Sequence, residues 1–205
     1  MKQVRIALIR HSVTVWNEEN RIQGHMDSPL TRHGRKLAEK WKKPLSPESF
    51  NAVITSDLGR AIETAEIITQ GLNIPIIKLS GLREQDWGDW SGLTYKELDQ
   101  KWPGILSAEE AKGWDFRPIG GESRDETSKR AMKALEQGIS KIIDIIDNEA
   151  PKVLAVIHEG TLKSITYKLA NHDYMPGTPK LIKRRRLHWI KWDGTLSIDR
   201  LNDIL

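Results

Sequence analysis

Four short, largely apolar runs, separated by segments with helical periodicity, constrain the fold of this chain more than any other feature. The runs lie at residues 4–9, 52–55, 74–79 and 153–157. Such runs are typical of buried strands in a sheet that is covered on both faces. Because helical segments alternate with these strands, we predict an α/β fold, with a doubly wound, mostly parallel sheet and helices on both faces.

Helical periodicity occurs in three segments, at residues 31–41, 58–70 and 123–149. The last of them starts with Ser123 and Glu126, whose spacing matches the capping box of helix amino termini. The Asp193-Gly194 pair lies between two apolar stretches and predicts a β-hairpin at the end of the chain. A chain of 205 residues has the length of one domain, so we expect residues 1–205 to form a single domain.

The segment from about residue 87 to 118 departs from this alternation. It shows little clean periodicity, and it contains four of the eight tryptophans, Trp87, Trp90, Trp102 and Trp114. We predict that it forms a small cap insertion over the carboxyl edge of the sheet. Its tryptophans are expected mainly to pack the cap.

Composition excludes several classes of function. The sequence contains no cysteine, which excludes disulfides, thiolate catalysis and cysteine-ligated zinc. Lysine and arginine number 32 against 28 acidic residues, a formal net charge of +4, which suits anionic ligands without indicating nucleic-acid binding. We interpret the basic stretch 180–186 as a solvated face. His33, His172 and His188 are expected at the surface.

Targeting and membrane signals are not visible in the sequence. No apolar stretch approaches the roughly 18 residues that are needed to span a bilayer. The amino terminus reads as a strand that contains a charge, unlike a signal peptide. We therefore expect a cytoplasmic protein that has neither a membrane nor a nucleic-acid partner.

Charged and imidazole side chains follow three of the predicted strands. Arg10 and His11 come after the first strand, Arg60 follows the second, and His158 follows the fourth. The carboxyl ends of parallel strands meet at one edge of such a sheet, where ligands bind. Two arginines and two histidines at that edge predict a site for an oxyanion.

Five motifs, in order along nearly the whole chain, carry a resemblance to a known family. They are LIRHSVTVWNEENRIQGHMDSPLTRHG from residue 8, TSDLGRAIETAE from residue 55, LREQDWGDWSGLT from residue 82, GGES from residue 120 and VIHEG from residue 156. Together they resemble the signature of the histidine phosphatase superfamily, which has the phosphoglycerate mutase-like fold. The resemblance agrees with the α/β fold that the apolar runs predict.

The resemblance implies a set of catalytic residues. His11 is expected to be a nucleophile that forms a phosphohistidine, and Arg10, Arg60 and His158 are expected to hold the phosphoryl oxygens. The flanking arginines also disfavour the cationic form of His11, which leaves a nitrogen lone pair free. Glu84 is expected to protonate the leaving alcohol and then to activate water.

Further residues are expected to bind the substrate, namely Ser12, Asn17, Gln23 and Gly24. Asp86 is the nearest alternative to Glu84 as the acid. No spacing of carboxylates and histidines resembles a metal site, so we expect no metal and no cofactor. The expected partner is a small-molecule phosphate monoester.

Three positions depart from the family pattern. Ser12 stands where the family has glycine, and Val13 replaces the usual acidic residue. Glu159 follows the second histidine, where glycine or asparagine is usual. A carboxylate at this position would repel a phosphate unless it points away from it.

Three functions remain open from the sequence. A cofactor-independent phosphomonoesterase is favoured over a 2,3-bisphosphoglycerate-dependent mutase, because the cap offers few cations to hold a bisphosphate: Lys96, Lys101, Lys112 and Arg117. The third alternative is a non-enzymatic phosphate-recognising module. The sequence leaves the natural substrate and the oligomeric state open.

Overall fold

A six-stranded sheet forms the centre of the structure, a computed structural model that describes residues 2–205 except for the side chain of residue 47. The strands are β1 (Val4–Arg10), β2 (Ala52–Ser56), β3 (Ile76–Leu79), β4 (Lys152–Ile157), β5 (Arg186–Trp192) and β6 (Leu196–Ile204). Their order is β3-β2-β4-β1-β5-β6, and the first four strands are parallel to one another. β5 and β6 are antiparallel additions at one edge. The predicted mostly parallel α/β sheet is confirmed.

Strand limits agree closely with the apolar runs. β3 begins at Ile76 instead of residue 74, because Pro75 has no N–H group to extend the ladder. The predicted terminal hairpin is formed by β5 and β6. Gly194 in its turn has a φ of +106°, a conformation that favours glycine.

Seven α-helices are found among the described residues. They are α1 (Val15–Glu18), α2 (Arg32–Leu45), α3 (Gly59–Ile68), α4 (Tyr95–Lys101), α5 (Ile105–Glu110), α6 (Arg124–Ile145) and α7 (Glu159–Leu169). The capping box at α6 is present, because the Ser123 hydroxyl accepts from the Glu126 N–H and the Glu126 carboxylate accepts from the Ser123 N–H. α6 ends earlier than predicted, where Asp144 and Asp147 oppose the negative end of the helix dipole.

Helices cover both faces of the sheet, as predicted. Side chains alternate along β1, so that Ile6 and Leu8 pack with α6 and α7, while Ala7 and Ile9 pack with α2 and α3. This two-residue period is the one expected for a strand. The runs in β1, β2 and β4 contain few polar residues because both faces of these strands are buried, whereas the edge strand β3 leaves Lys78 exposed.

The cap has its own small core. Trp90 is fully buried with Ile22, Leu98 and Phe116, and Trp87 and Trp102 pack against this cluster. Trp114 packs instead against the larger core beside α6. The packing role predicted for the tryptophans is confirmed. Helices α4 and α5 were missed, because helices of seven and six residues are too short to show a period.

Two of the three histidines expected at the surface are buried, so that prediction was wrong for them. His188 in β5 is 1% exposed, and its Nδ1 accepts from the Asn202 N–H. His172 is 9% exposed, and its Nδ1 accepts from the Tyr174 N–H at 2.8 Å. Each imidazole satisfies a backbone donor in a loop or hairpin, a role that composition does not reveal. Within residues 2–205, no helix is long and apolar enough to cross a membrane.

Candidate active site

The carboxyl ends of β1 and β4 bring two imidazoles together. Arg10 is in register with Ile157, and the His11 N–H donates to the Ile157 carbonyl oxygen at 2.8 Å. His158 follows directly, and the ring centroids of His11 and His158 lie 5.2 Å apart. The sheet register therefore sets the distance between the two histidines.

The His11 ring is held as a neutral base. Its Nδ1 lies 2.7 Å from the Ser12 carbonyl oxygen. A carbonyl can only accept, so Nδ1 carries the proton and Nε2 keeps its lone pair. Burial lowers the pKa of His11 well below its usual value, and the charges of Arg10 and Arg60 lower this pKa further. At neutral pH the site therefore presents an uncharged, nucleophilic nitrogen.

Four buried nitrogens around this imidazole have no partner within the described part of the chain. They are Nδ1 and Nε2 of His158, Nε of Arg10 and Nε of Arg60. Burial, followed by the charges of Arg60 and His11, lowers the pKa of His158 well below its usual value. An unpaired buried polar group costs roughly 1–3 kcal/mol. An oxyanion would supply acceptors to the donors in this set.

Arg60 is fixed by a loop that precedes α2. The side chain is 1% exposed. Its Nη1 donates to the Met26 carbonyl oxygen at 2.7 Å and to Asp27 Oδ1 at 3.0 Å, and its Nη2 donates to the Gly24 carbonyl oxygen at 2.8 Å. Asp27 also accepts from the Gly59 N–H and so caps α3. These contacts use three of the five guanidinium N–H groups of Arg60, and its Nε has no acceptor within the described residues.

Gly24 allows a close approach between this loop and the cap. Its φ is +52°, and an added Cβ would lie 2.7 Å from Ser91 Oγ and 3.1 Å from the Trp87 nitrogen. Substitution would therefore strain the backbone and displace the carbonyl that holds Arg60. The structure gives Gly24 a positioning role beside the site.

The other predicted substrate-binding residues differ in whether their side-chain donors are available to a ligand. Asn17 Oδ1 accepts from the Thr14 N–H at 3.2 Å, which leaves its amide hydrogens to donate. Gln23 Oε1 accepts from the Thr14 hydroxyl at 3.1 Å, with the same consequence. The Ser12 hydroxyl donates to the Gly34 carbonyl oxygen at 2.7 Å. It is therefore committed to the backbone, and the structure does not offer it to a phosphate.

Glu84 lies at the amino terminus of α7. Its Oε1 accepts from the Gln85 N–H at 2.9 Å and from the Thr161 N–H at 3.0 Å, and its Oε2 accepts from the Gly160 N–H at 3.1 Å. α7 begins directly after His158, so the carboxylate is held beside the second histidine. An added Cβ on Gly160 would lie 2.5 Å from Glu84 Oε1, so this approach requires glycine.

Asp86 is placed differently from Glu84. Its Oδ1 accepts from the Gly88 N–H at 2.9 Å, and its side chain is 40% exposed. It forms no hydrogen bond or ion pair with Arg10, Arg60, His11 or His158, and its basic partner is His25 in the loop before α2, at 3.9 Å. The geometry favours Glu84 over Asp86 as the acid–base group.

Arg130 was missed in the sequence, although it fixes the segment that carries Glu84. Its Nη1 donates to the carbonyl oxygens of Gly81 and Arg83, and its Nη2 donates to that of Glu84, at 2.8–2.9 Å. Glu122 pairs with the same guanidinium. The sequence offers no signal for this role, because Arg130 is one of several charged residues on α6.

Glu159 does not point away from the site. Its Oε2 lies 2.6 Å from Arg10 Nη1, and its Oε1 lies 3.1 Å from both Lys163 Nζ and Arg184 Nε. Burial raises the pKa of Glu159, but the charges of Arg10, Lys163 and Arg184 outweigh burial and lower this pKa to about 2. The basic stretch 180–186 thus reaches the site through Arg184.

The charged groups around His11 are mainly nitrogen donors. Within residues 2–205, no three histidine, aspartate or glutamate side chains are grouped as metal ligands would be. The charged neighbours of His11 are the arginines Arg10 and Arg60. The arrangement suits an anion that is held by nitrogen donors.

The fold and this site define the class of protein. Residues 6–203 match the model of the histidine phosphatase superfamily (branch 1). The chain belongs to this superfamily of enzymes, as the five motifs predicted.

Curated relatives include phosphatases and mutase-like proteins. The chain is 36% identical over 167 residues to the metal-independent phosphoserine phosphatase of Arabidopsis thaliana, a match that covers 80% of this chain and 68% of the relative. It is 31% identical over 172 residues to the glucosyl-3-phosphoglycerate phosphatase of Mycolicibacterium vanbaalenii, covering 82% and 75%. Phosphoglycerate mutase-like protein 4 of Arabidopsis thaliana is 34% identical, covering 78% and 68%.

Solved structures share the fold. YhfR of Bacillus stearothermophilus matches with a TM-score of 0.86 and 32% identity, over 98% of each chain. This likeness extends over the cap as well as the sheet. It supports the phosphoglycerate mutase-like architecture predicted from the motifs.

Proposed function

We propose that this enzyme is a phosphomonoesterase that acts through a phosphohistidine formed on Nε2 of His11. The observation that carries the proposal is the buried, neutral His11 imidazole, whose Nε2 is free and whose neighbours Arg10, Arg60 and His158 have nitrogens without a protein partner. The proposal includes a single domain, a cytoplasmic location, a small-molecule substrate and no metal cofactor.

The first step transfers the phosphoryl group to the enzyme. The two arginines and His158 hold the phosphoryl oxygens and withdraw charge from phosphorus. A bond forms between His11 Nε2 and phosphorus while the ester P–O bond breaks. The leaving oxygen takes a proton from Glu84, because the approach of a phosphate dianion favours the protonated carboxyl group.

The second step hydrolyses the phosphohistidine. The Glu84 carboxylate takes a proton from a water molecule as the water oxygen attacks phosphorus. The N–P bond breaks, and inorganic phosphate and neutral His11 result. The N–H groups of Gly160 and Thr161 stabilise the carboxylate form in which Glu84 acts as this base.

The cap supports hydrolysis over mutase chemistry. Lys112 pairs with Glu109 at 2.6 Å, and Arg117 pairs with Glu126 at 2.6 Å. The ammonium of Lys101 lies 4.3 Å from the centroid of the Trp102 ring. Three of the four cap cations named above are therefore engaged within the protein, which leaves poor material for a bisphosphate clamp.

Release of inorganic phosphate from aryl and alkyl phosphates tests the proposal. We expect turnover by the parent, and a loss of at least about 10³-fold in His11→Asn, which should still bind vanadate. Residual activity within about tenfold of the parent would rule out His11 as nucleophile. A parallel assay of 3-phosphoglycerate with 2,3-bisphosphoglycerate should show release of phosphate and no isomerisation. Isomerisation would establish the mutase alternative.

A further inference from the structure

Glu159 joins the site to the basic stretch before β5. One carboxylate contacts Arg10 at the end of β1, Lys163 one turn along α7, and Arg184 in the loop before β5. The Glu159 side chain is 19% exposed, whereas that of Arg184 is 78% exposed. A partly buried carboxylate with three cationic neighbours is charged throughout the pH range in which phosphate monoesters are dianions.

Ordinary helix stabilisation explains only part of this arrangement. An acidic residue in the first turn of α7 is favoured by the helix dipole, and the Glu159–Lys163 pair has the favourable i, i+4 spacing. Neither effect requires the contact with Arg10. That contact uses Nη1 of an arginine whose Nε is buried without a protein partner.

The pairing of Arg10 with Glu159 limits how Arg10 can bind an anion. With Nη1 held by Glu159, the Nε–Nη2 edge of the guanidinium is the one left to form a two-pronged contact with a phosphoryl group. The negative charge next to it reduces the attraction that Arg10 exerts on a bound anion. Both substrate and product phosphate meet this reduced attraction.

We propose that Glu159 is a positioning residue that weakens the hold of Arg10 on phosphate and so favours release of the product. Arg184 acts on Arg10 through Glu159, because it competes for the same carboxylate. The inference rests on the proposed function, since it assigns a role to the phosphate site defined there.

Binding of inorganic phosphate and vanadate, measured by calorimetry, tests this inference separately from catalysis. We expect Glu159→Gln to bind both anions about three- to tenfold more tightly than the parent, with a lower KM and no gain in kcat. A parent that binds no phosphate would contradict the proposed function. A parent that binds phosphate, with unchanged or weaker binding in Glu159→Gln, would overturn only the inference.

Asp199→Asn is the matched control for the change in net charge. Asp199 also pairs with an arginine of β1, Arg5, at 2.8 Å, but Arg5 is in register with the first residue of β4, at the opposite edge of the sheet. We expect phosphate binding to be unchanged in this variant. Equal tightening in Asp199→Asn and Glu159→Gln would show an effect of net charge alone and would contradict the inference.

Arg184→Gln tests whether Arg184 acts on Arg10 through the Glu159 carboxylate. Oε1 of Glu159 then keeps Lys163 as its partner and loses Arg184. More of the carboxylate charge acts on Arg10, so phosphate binding should weaken about two- to threefold in the parent background. The same substitution should have no effect in Glu159→Gln, because Arg184 acts through the carboxylate. Weakening of equal size in both backgrounds would contradict this route. Thermal unfolding of each variant verifies that the fold is intact.

Discussion

Single residues in this site are held in defined protonation states by burial and by neighbouring charge. His11 and His158 have lowered pKa values because both rings are buried beside arginines. Glu159 is held as an anion by three cations. The site therefore contains neutral imidazoles, fixed cations and one fixed anion, and the proposed mechanism assigns the exchange of a proton during turnover to Glu84.

Glu84→Gln should slow phosphorylation of the enzyme by alkyl phosphates much more than by aryl phosphates. A poor leaving group needs protonation as its P–O bond breaks, whereas an aryl oxide leaves without it. We expect about a 10²–10⁴-fold loss with alkyl esters in single-turnover experiments. Asp86→Asn serves as the control and should have little effect. An equal loss on both classes of ester would argue against Glu84 as the acid.

Among the elements, the start of α7 contributes most to the site. His158 is its N-cap residue, Glu159 is its first helical residue, and Glu84 accepts the free N–H groups of the next two residues. A helix amino terminus commonly receives a side chain of its own preceding segment. Here the capping carboxylate comes from the loop before the cap, and the contact holds Glu84 next to the second histidine.

Gly160→Ala tests the contact between Glu84 and the amino terminus of α7. The new Cβ would lie 2.5 Å from Glu84 Oε1, so the carboxylate must move away from the helix terminus. We expect kcat to fall about tenfold or more, since misplacement of a catalytic group by about 1 Å can cost 10²-fold. Gly177→Ala is the matched control, because an added Cβ there meets no atom within 4 Å. Equal activity of the two variants would contradict the role of this contact.

The hairpin of β5 and β6 contributes a dependence of stability on pH. Burial lowers the pKa of His188 to about 4, below the value of about 6.5 in an unfolded chain. Between these values the unfolded state binds a proton that the folded state does not. Stability should therefore decrease as the pH falls from about 6.5 to about 4, by about 1–3 kcal/mol from this residue.

Urea unfolding of the parent and of His188→Gln, from about pH 7 to pH 4.5, measures this contribution. His11 and His158 add slopes of the same sign in both proteins. The free energy of unfolding of the variant should thus fall less steeply with decreasing pH. Identical slopes would show that His188 does not titrate as its burial implies.

For the whole molecule, sequence patterns predicted the sheet and the strand ends better than the contacts made there. Apolar runs report burial on both faces of a strand, and strand order then places Arg10, His11 and His158 together. The Arg10–Glu159 pair joins residues 149 positions apart, and Arg130 reaches backbone carbonyls almost fifty positions away. Such contacts depend on side-chain rotamers and helix packing, which no local pattern encodes.

The Ser12 hydroxyl shows the same limit. A serine beside a phosphate site suggested a further donor, but an added Cβ at Gly34 would lie 2.0 Å from the Val13 carbonyl oxygen. This tight packing of the segment against α2 brings the Gly34 carbonyl within reach of the Ser12 hydroxyl. The partner of the Ser12 hydroxyl therefore depends on the distance between its segment and α2. The sequence does not contain this distance.

Trapping of the covalent intermediate tests the central claim most directly. The parent is mixed with a slight excess of aryl phosphate, quenched in alkali at early times, digested and analysed by mass spectrometry. The phosphohistidine mechanism predicts one phosphoryl group on the peptide that contains His11, formed at least as fast as turnover, labile in acid and missing from His11→Asn. A phosphoryl group on the His158 peptide, or turnover without any protein-bound phosphoryl group, would contradict it.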